Sequence, residues 1–312
     1  MTKLITRRWL IVGTLMMTMM MMLASAPAFA QSAVRVSSKI DTEGSLLGNM
    51  IIDVLRANGI ATENKLQLGT TKIVRAAIIA GEIDIYPEYT GNGAFFFSDE
   101  KNPAWKNAAA GYALVKKLDA EKNHLEWLTP APADNTWAIA VRKDVAQKNH
   151  LRSLADLAKW LAAGGKFKLA ASAEFIERSD ALPAFEKAYG FKLSDAQLLT
   201  LAGGNTTVTI KAAAQQTSGV NAAMAYGTDG ALAALGLVVL DDPKGIQPVY
   251  APAPLVREAT LAQYPRIKDL LNPVFRTLDG PTLRELNGKI AVEGEDAGRV
   301  AHDYLKAKGF IK

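Results

Sequence analysis

The sequence predicts an α/β protein of two lobes, and three observations carry that expectation. Between residues 34 and 86 the apolar pattern runs strand, helix, strand, helix, strand, the signature of a parallel sheet covered by helices. A Pro-rich irregular stretch, Pro130-Ala-Pro-Ala-Asp-Asn-Thr136, then interrupts the chain, and the same alternation resumes beyond it. The length of 312 residues suits about two domains of ordinary size.

The elements follow in order. Val34-Arg-Val-Ser-Ser alternates as a strand. Leu46, Leu47, Met50, Ile51, Val54 and Leu55 recur at helical spacing behind Thr42, expected at the N-cap, and Asn58-Gly59 stops that helix. A second helix spans 72–80 and ends at Gly81, and Ile83-Asp-Ile-Tyr86 reads as a short buried strand. Beyond the Pro-rich crossing the pattern gives strands over 137–142, 167–171, 222–226 and from 237. Helices are expected over 153–163, 180–189, 211–216 and 293–308. The segment from 241 onward is too short for a third domain and is expected to return to the first lobe. The organisation is therefore 31–134 plus 241–312 as lobe one and 135–240 as lobe two.

The first thirty residues read as an address. Lys3, Arg7 and Arg8 precede an apolar run holding six methionines between 16 and 22, and Ala28-Phe29-Ala30 supplies a small-residue cleavage site. Residues 1–30 are thus expected to be a Sec signal peptide, cleaved after Ala30, that sends the protein to the periplasm. Its loss leaves 33 Lys and Arg against 31 Asp and Glu, so the formal charge falls from +5 to +2. The basicity belongs mostly to the leader, and the remaining Lys and Arg are scattered rather than striped. Nucleic acid is not an expected partner. With no cysteine in the chain, disulfides, thiolate zinc sites, iron–sulfur clusters, thiol nucleophiles and an acylated Cys anchor are excluded.

No catalytic set assembles. His124, His150 and His302 lie far apart in polar stretches, which argues for solvated side chains rather than a metal site or a triad. There is no G-x-S-x-G, and neither Gly91-Asn-Gly93 nor Gly203-Gly204 continues into a phosphate loop. Asp84 and Glu88 form a candidate carboxylate pair, read as structural rather than catalytic. The sequence predicts no enzyme, no cofactor and no metal.

The 23 aromatic residues say more, because several stand at strand ends. Tyr86 and Tyr89 stand where one strand runs out, Trp137 at the lobe crossing, Tyr226 after a later strand, and Tyr250 between Pro248 and Pro252. Ligands of open α/β sheets bind outside the carboxyl ends of strands, so rings at these places can surround one.

Six segments in order carry a resemblance: Ser38-Lys39-Ile-Asp-Thr-Glu43, Leu68-Gly-Thr-Thr71, Gly81-Glu-Ile-Asp-Ile-Tyr-Pro-Glu-Tyr-Thr-Gly91, Asn135-Thr-Trp137, Glu174-Phe-Ile-Glu-Arg178 and Tyr226-Gly-Thr-Asp-Gly230. The chain resembles the substrate-binding proteins of ABC importers for quaternary-amine osmoprotectants such as glycine betaine, choline and carnitine. That resemblance implies a two-lobed periplasmic binding protein of type II, a Venus-flytrap with two crossing strands between its lobes. It implies a monomer that hands a betaine-like quaternary amine to permease subunits driven by a cytoplasmic ATPase. By motif position the aromatic cage would be Tyr89, Trp137, Tyr226 and Tyr250, and the carboxylate clamp Lys39, Asn92 and Arg178, with Asn135 and Thr228 near the cleft. Aromatic faces suit a trimethylammonium, which cannot donate a conventional hydrogen bond. Three positions depart from the family's usual residues: Gly44 stands for Gln, Asn92 for Thr and Trp137 for Tyr. On the residues alone, Arg178 could instead pair with Glu177 or Asp180 at the surface, and Lys39 could be solvated.

Overall fold

Ten strands and their helices form two sheets of five, in a computed structural model that describes residues 32–312. The leader expected over residues 1–30 and its cleavage site lie outside the described residues. The chain starts β1 (Val34–Lys39), α1 (Thr42–Ala57), β2 (Thr62–Gly69), α2 (Thr71–Ala80) and β3 (Ile85–Tyr89). It continues through α3 (Asn92–Phe96), α4 (Ala108–Asn123) and β4 (Leu125–Trp127) before crossing to the second sheet. There follow β5 (Trp137–Arg142), α5 (Lys143–Lys148), α6 (Leu154–Ala162), β6 (Leu169–Ser172), α7 (Ala173–Glu177) and α8 (Leu182–Tyr189). This part ends with β7 (Leu198–Leu201), α9 (Thr206–Ala214), β8 (Ala222–Tyr226), α10 (Ala231–Ala234) and β9 (Leu237–Val239). The chain then returns as β10 (Pro252–Arg257), α11 (Glu258–Gln263), α12 (Ile267–Phe275), α13 (Gly280–Ala291) and α14 (Ala297–Ala307).

The first sheet runs β2-β1-β3-β10-β4 and the second β7-β6-β8-β5-β9. Each has three parallel strands and then an antiparallel one, which is the strand that arrives by a crossing: β10 against β3 and β5 against β8. The initial β-α-β-α-β reading thus gives a parallel sheet, as the alternation predicts. Asp41, not Thr42, caps α1. Its carboxylate accepts the Gly44 N–H at 2.6 Å, because an Asx side chain one residue before the helix reaches the free N–H groups of the first turn. Gly81 ends α2 in the left-handed region, at φ 74°. The helix expected over 293–308 starts only at Ala297, since Gly294 takes φ 75° and Asp296 supplies a new cap.

The main core of the first half forms where the apolar stripe of α1 meets α12, α13 and α14. Leu46, Met50 and Leu55 pack there with Phe275, Leu283 and Leu305. A separate core fills the second half around Leu157, Phe175 and Phe185. Both crossings, 128–136 and 240–251, are hydrogen-bonded but are not regular strands. Asn135 N–H donates to the Tyr250 carbonyl at 3.0 Å, Ala131 N–H to Pro252 at 2.8 Å, and Tyr250 N–H to the Asp134 carboxylate at 2.8 Å. Pro130, Pro132 and Pro248 lack the N–H groups that a continuous ladder needs.

Candidate ligand-binding site

The strand pattern explains how four aromatic residues far apart in sequence meet. Tyr89 ends β3, and the strand register sets it opposite Pro252, two residues after Tyr250. Trp137 opens β5 and lies opposite Tyr226, the last residue of β8. An antiparallel strand begins where its parallel neighbours end, so Trp137 at the start of β5 and Tyr250, two residues before β10, stand at the carboxyl edges of their sheets. Tyr89, Tyr250, Trp137 and Tyr226 all line one cavity, together with Lys39, Asp41, Asn92, Asn135 and Glu174. Its volume is about 30 Å³, because the walls lie against one another. The Trp137 and Tyr226 ring centroids are 4.8 Å apart, and Phe175 backs Trp137 at 5.1 Å. Tyr86 belongs elsewhere: it is wholly buried inside β3 and donates its hydroxyl to Glu88 at 2.8 Å.

Of the three residues expected to form the clamp, Lys39 and Asn92 line this cavity, whereas Arg178 lies outside its lining and reaches it through Asn92 and Glu174; each already has a partner. Lys39 Nζ lies 2.5 Å from Glu88 Oε1 and 4.7 Å from the Tyr89 ring centroid, so the ring already faces an ammonium. Glu88 is fully buried and also accepts from Asn92 Nδ2 at 2.8 Å and from the Tyr89 N–H at 2.7 Å. Arg178 is buried at the end of α7. It grips Asp180 with two nitrogens, at 2.9 and 2.6 Å, and reaches Glu174 at 3.0 Å. The pairing with Asp180 that the sequence offered as a surface contact is real but internal. Burial alone would lower the Arg178 pKa, and the Asp180 hydrogen bonds and neighbouring charges reverse that and raise it. Asn92 joins the two sets, its Oδ1 accepting from Arg178 at 2.9 Å.

Behind these residues lie carboxylates that the sequence reading did not single out. Burial pushes Asp41 and Glu43 above the usual carboxylate range and raises Asp229 to about 7. Asp229 accepts from the Tyr226 N–H and from the Thr206 hydroxyl, both at 2.7 Å, which fixes the turn after β8. The Tyr250 hydroxyl, beside Trp137, is buried and closes no hydrogen bond of good geometry. Gly44, the departure from Gln, sits where a Cβ would come 2.9 Å from the Lys39 carbonyl, so its small size lets the start of α1 lie against the end of β1. Asn135 and Thr228 are both buried, with Asn135 Nδ2 donating to the Thr228 hydroxyl at 2.6 Å. No signal within one sequence pairs Lys39 with Glu88, 49 residues away, or Arg178 with Asn92, 86 away.

The site contains π faces, buried cations held by carboxylates, and no nucleophile–base pair. Among the described residues no group of three His, Asp or Glu is placed to hold a metal ion. His124 pairs with Glu258 and His302 with Asp53, on separate helices away from the cavity.

Comparison with known proteins adds three findings. Residues 32–307 match the family described as the substrate binding domain of ABC-type glycine betaine transport systems. The chain is 68% identical over 293 residues to the glycine betaine-binding protein YehZ of Escherichia coli K12, covering 94% of this chain and 96% of that one. It is 31% identical over 290 residues to a glycine-betaine-binding protein of Pseudomonas aeruginosa, covering 90% of each. Among solved structures, apo YehZ from Escherichia coli is 70% identical and aligns with a TM-score of 0.65, covering 89% of this chain and 99% of that one. A glycine betaine/carnitine/choline ABC transporter structure, 23% identical, shares the fold at a TM-score of 0.69, covering 89% and 100%.

Proposed function

Because the chain belongs to the substrate-binding domains of ABC-type glycine betaine transport systems, we propose that it is the periplasmic receptor of such an importer. It binds a betaine-like quaternary amine between its two sheets and hands it, without catalysis, to permease subunits powered by a cytoplasmic ATPase. The observation that carries this reading is the convergence of four rings on one cavity, Tyr89 from the first sheet, Trp137 and Tyr226 from the second and Tyr250 from the crossing before β10. A trimethylammonium gains ~0.5–2 kcal/mol from each ring it faces once water is excluded. Tyr89 already accepts the Lys39 ammonium in this way.

In this reading Tyr89, Trp137, Tyr226 and Tyr250 are the cage, and Lys39, Asn92 and Arg178 the clamp. The clamp works by exchange. A ligand carboxylate competes with Glu88 for Lys39 and with Asp180 and Glu174 for Arg178, so only the difference between the two sets of bonds appears as affinity. A cavity of about 30 Å³ is too small for a trimethylammonium, so the halves separate to admit it, and ligand binding then favours the closed arrangement. A TM-score of 0.65 between chains 70% identical supports two bodies that can be set differently. The division into lobes 31–134 plus 241–312 and 135–240 is supported by sheet membership, since no strand of either sheet comes from the other segment. Residues 1–30 act as the cleaved leader, and the mature protein works as a monomer free in the periplasm.

Calorimetric titration of the mature protein with glycine betaine, choline and carnitine tests the proposal. At least one should bind, with Tyr89→Ala or Tyr226→Ala weakening it by ~1–2 kcal/mol. Choline lacks the carboxylate, so the betaine–choline difference measures the clamp. No heat and no thermal shift with any of the three would overturn the reading.

A further inference from the structure

Glu43 belongs to neither the cage nor the clamp, yet it ties the two halves together. It lies in the first turn of α1, only 4% exposed. Its Oε1 accepts from the Tyr89 hydroxyl at 3.0 Å and from Asn135 Nδ2 at 2.8 Å, and its Oε2 from Asn287 Nδ2 at 2.7 Å. Asn135 gives its other N–H to the Thr228 hydroxyl at 2.6 Å. Glu43 thus holds β3, the first crossing and α13 directly and, through the two amides, the turn after β8. Asn287 gives its second N–H to the Thr228 carbonyl at 3.0 Å, while its own buried Oδ1 closes no bond. It is thus placed for what it donates. Beside it α13 approaches the second half so closely that a Cβ on Gly230 would lie 2.0 Å from the Arg284 carbonyl.

All three partners are neutral donors converging on one group, and only a carboxylate, with four acceptor positions and no proton, can serve them together. Buried in one another's company these donors would otherwise lack acceptors, which is costly. We infer that Glu43 is a positioning residue that couples the Tyr89 ring to closure: the carboxylate that fixes this ring also holds Asn135 and Asn287, the two amides that grip Thr228 across the junction. The ring is then held in place only when the halves are together. The inference rests on the proposed binding site, in which the Tyr89 face meets the ligand cation.

Absence of native cysteine allows a clean test. Lys117→Cys on α4 and Lys187→Cys on α8 place one dye on each half, and energy transfer reports closure without any ligand. In that background Glu43→Gln, which replaces an acceptor oxygen by a donor, should lower the closed fraction and weaken glycine betaine about tenfold. Tyr89→Phe loses only one of the bonds to Glu43 and should lower the closed fraction less than Glu43→Gln does. The double variant Glu43→Gln/Tyr89→Phe should bind no more weakly than Glu43→Gln alone, whereas a merely structural Glu43 gives additive losses. Should Glu43→Gln fail to fold by circular dichroism, Thr228→Val removes only the hydroxyl that accepts from Asn135 across the junction and should show the same loss of closure to a smaller degree. Unchanged energy transfer with unchanged affinity, or additive losses, would overturn the inference. Wild-type protein that closes normally but binds none of the three amines would instead overturn the proposed ligand and leave the latch standing.

Discussion

The two halves of the molecule share one strand order but bring different chemistry to the site. The first sheet presents a polar end, where Lys39, Glu88 and Asn92 form a buried hydrogen-bonded chain under Tyr89. The second presents an aromatic stack, Phe175, Trp137 and Tyr226, with Arg178 and its carboxylates beside it. The lesson is that topology decides where a side chain arrives, at the carboxyl edge of each sheet, and leaves open what it does there.

Three changes break or sharpen this contrast. The largest effect is expected from Arg178→Ala, which leaves Asp180 and Glu174 buried without their cation. Removing one partner of a buried pair costs ~3–5 kcal/mol, and urea unfolding should show a loss of that size. Lys39→Met removes the corresponding cation of the first half, yet Glu88 keeps Asn92, the Tyr86 hydroxyl and the Tyr89 N–H as donors. A loss of about 1–3 kcal/mol is expected from the same measurement. Equal losses would show that the halves do not differ in how their carboxylates are satisfied. The gentlest effect is in the pH dependence of stability, which has opposite signs on the two sides.

Asp229, raised to about 7 in the folded state, favours the protonated fold. Its contribution is complete below pH 4 and is lost as pH rises towards 7, so Asp229→Asn should flatten that decline in thermal unfolding. Asp84 lies under the first sheet. Burial tends to raise it, but bonds and charge from Arg35 outweigh burial and hold it below the usual range. Its contribution is present at neutral pH and disappears as the solution is acidified below 4, so Asp84→Asn should remove that acid-side loss. Asp41 and Glu43 at the junction shift in the same direction as Asp229, which makes the single substitutions the informative comparison.

What the sequence revealed depended on periodicity and punctuation. The run from β1 to β3 was legible because α1 has a clear apolar stripe and Gly59 and Gly81 mark helix ends in the left-handed region. Helix α4 was silent: its sequence is Ala- and Lys-rich, and it buries only Gly111, Val115 and Asp119. Strand β10 was disguised by Pro252 and Pro254, which it tolerates where their missing N–H groups are not required. At the site, rings at strand ends could be seen as candidates, and so could Lys39 and Arg178. Their internal partners could not, because a buried carboxylate such as Glu88 or Glu43 looks like any surface acid until the fold supplies donors from 49 or 244 residues away.

The strand that each sheet borrows across a crossing also has a consequence for the order of assembly. The ribosome makes β1, β2 and β3 early, but their antiparallel neighbour β10 is absent until residue 252 has been made, and α12 to α14, which bury α1, come later still. Loop closure over such distances is slow. A nascent chain therefore holds most of its first sheet with one edge unpaired and one face bare, in contrast to a protein whose domains finish one after another. The returning segment 252–312 acts as a lock on β1, α1 and β3, and this half stays pliable until nearly all of the chain exists.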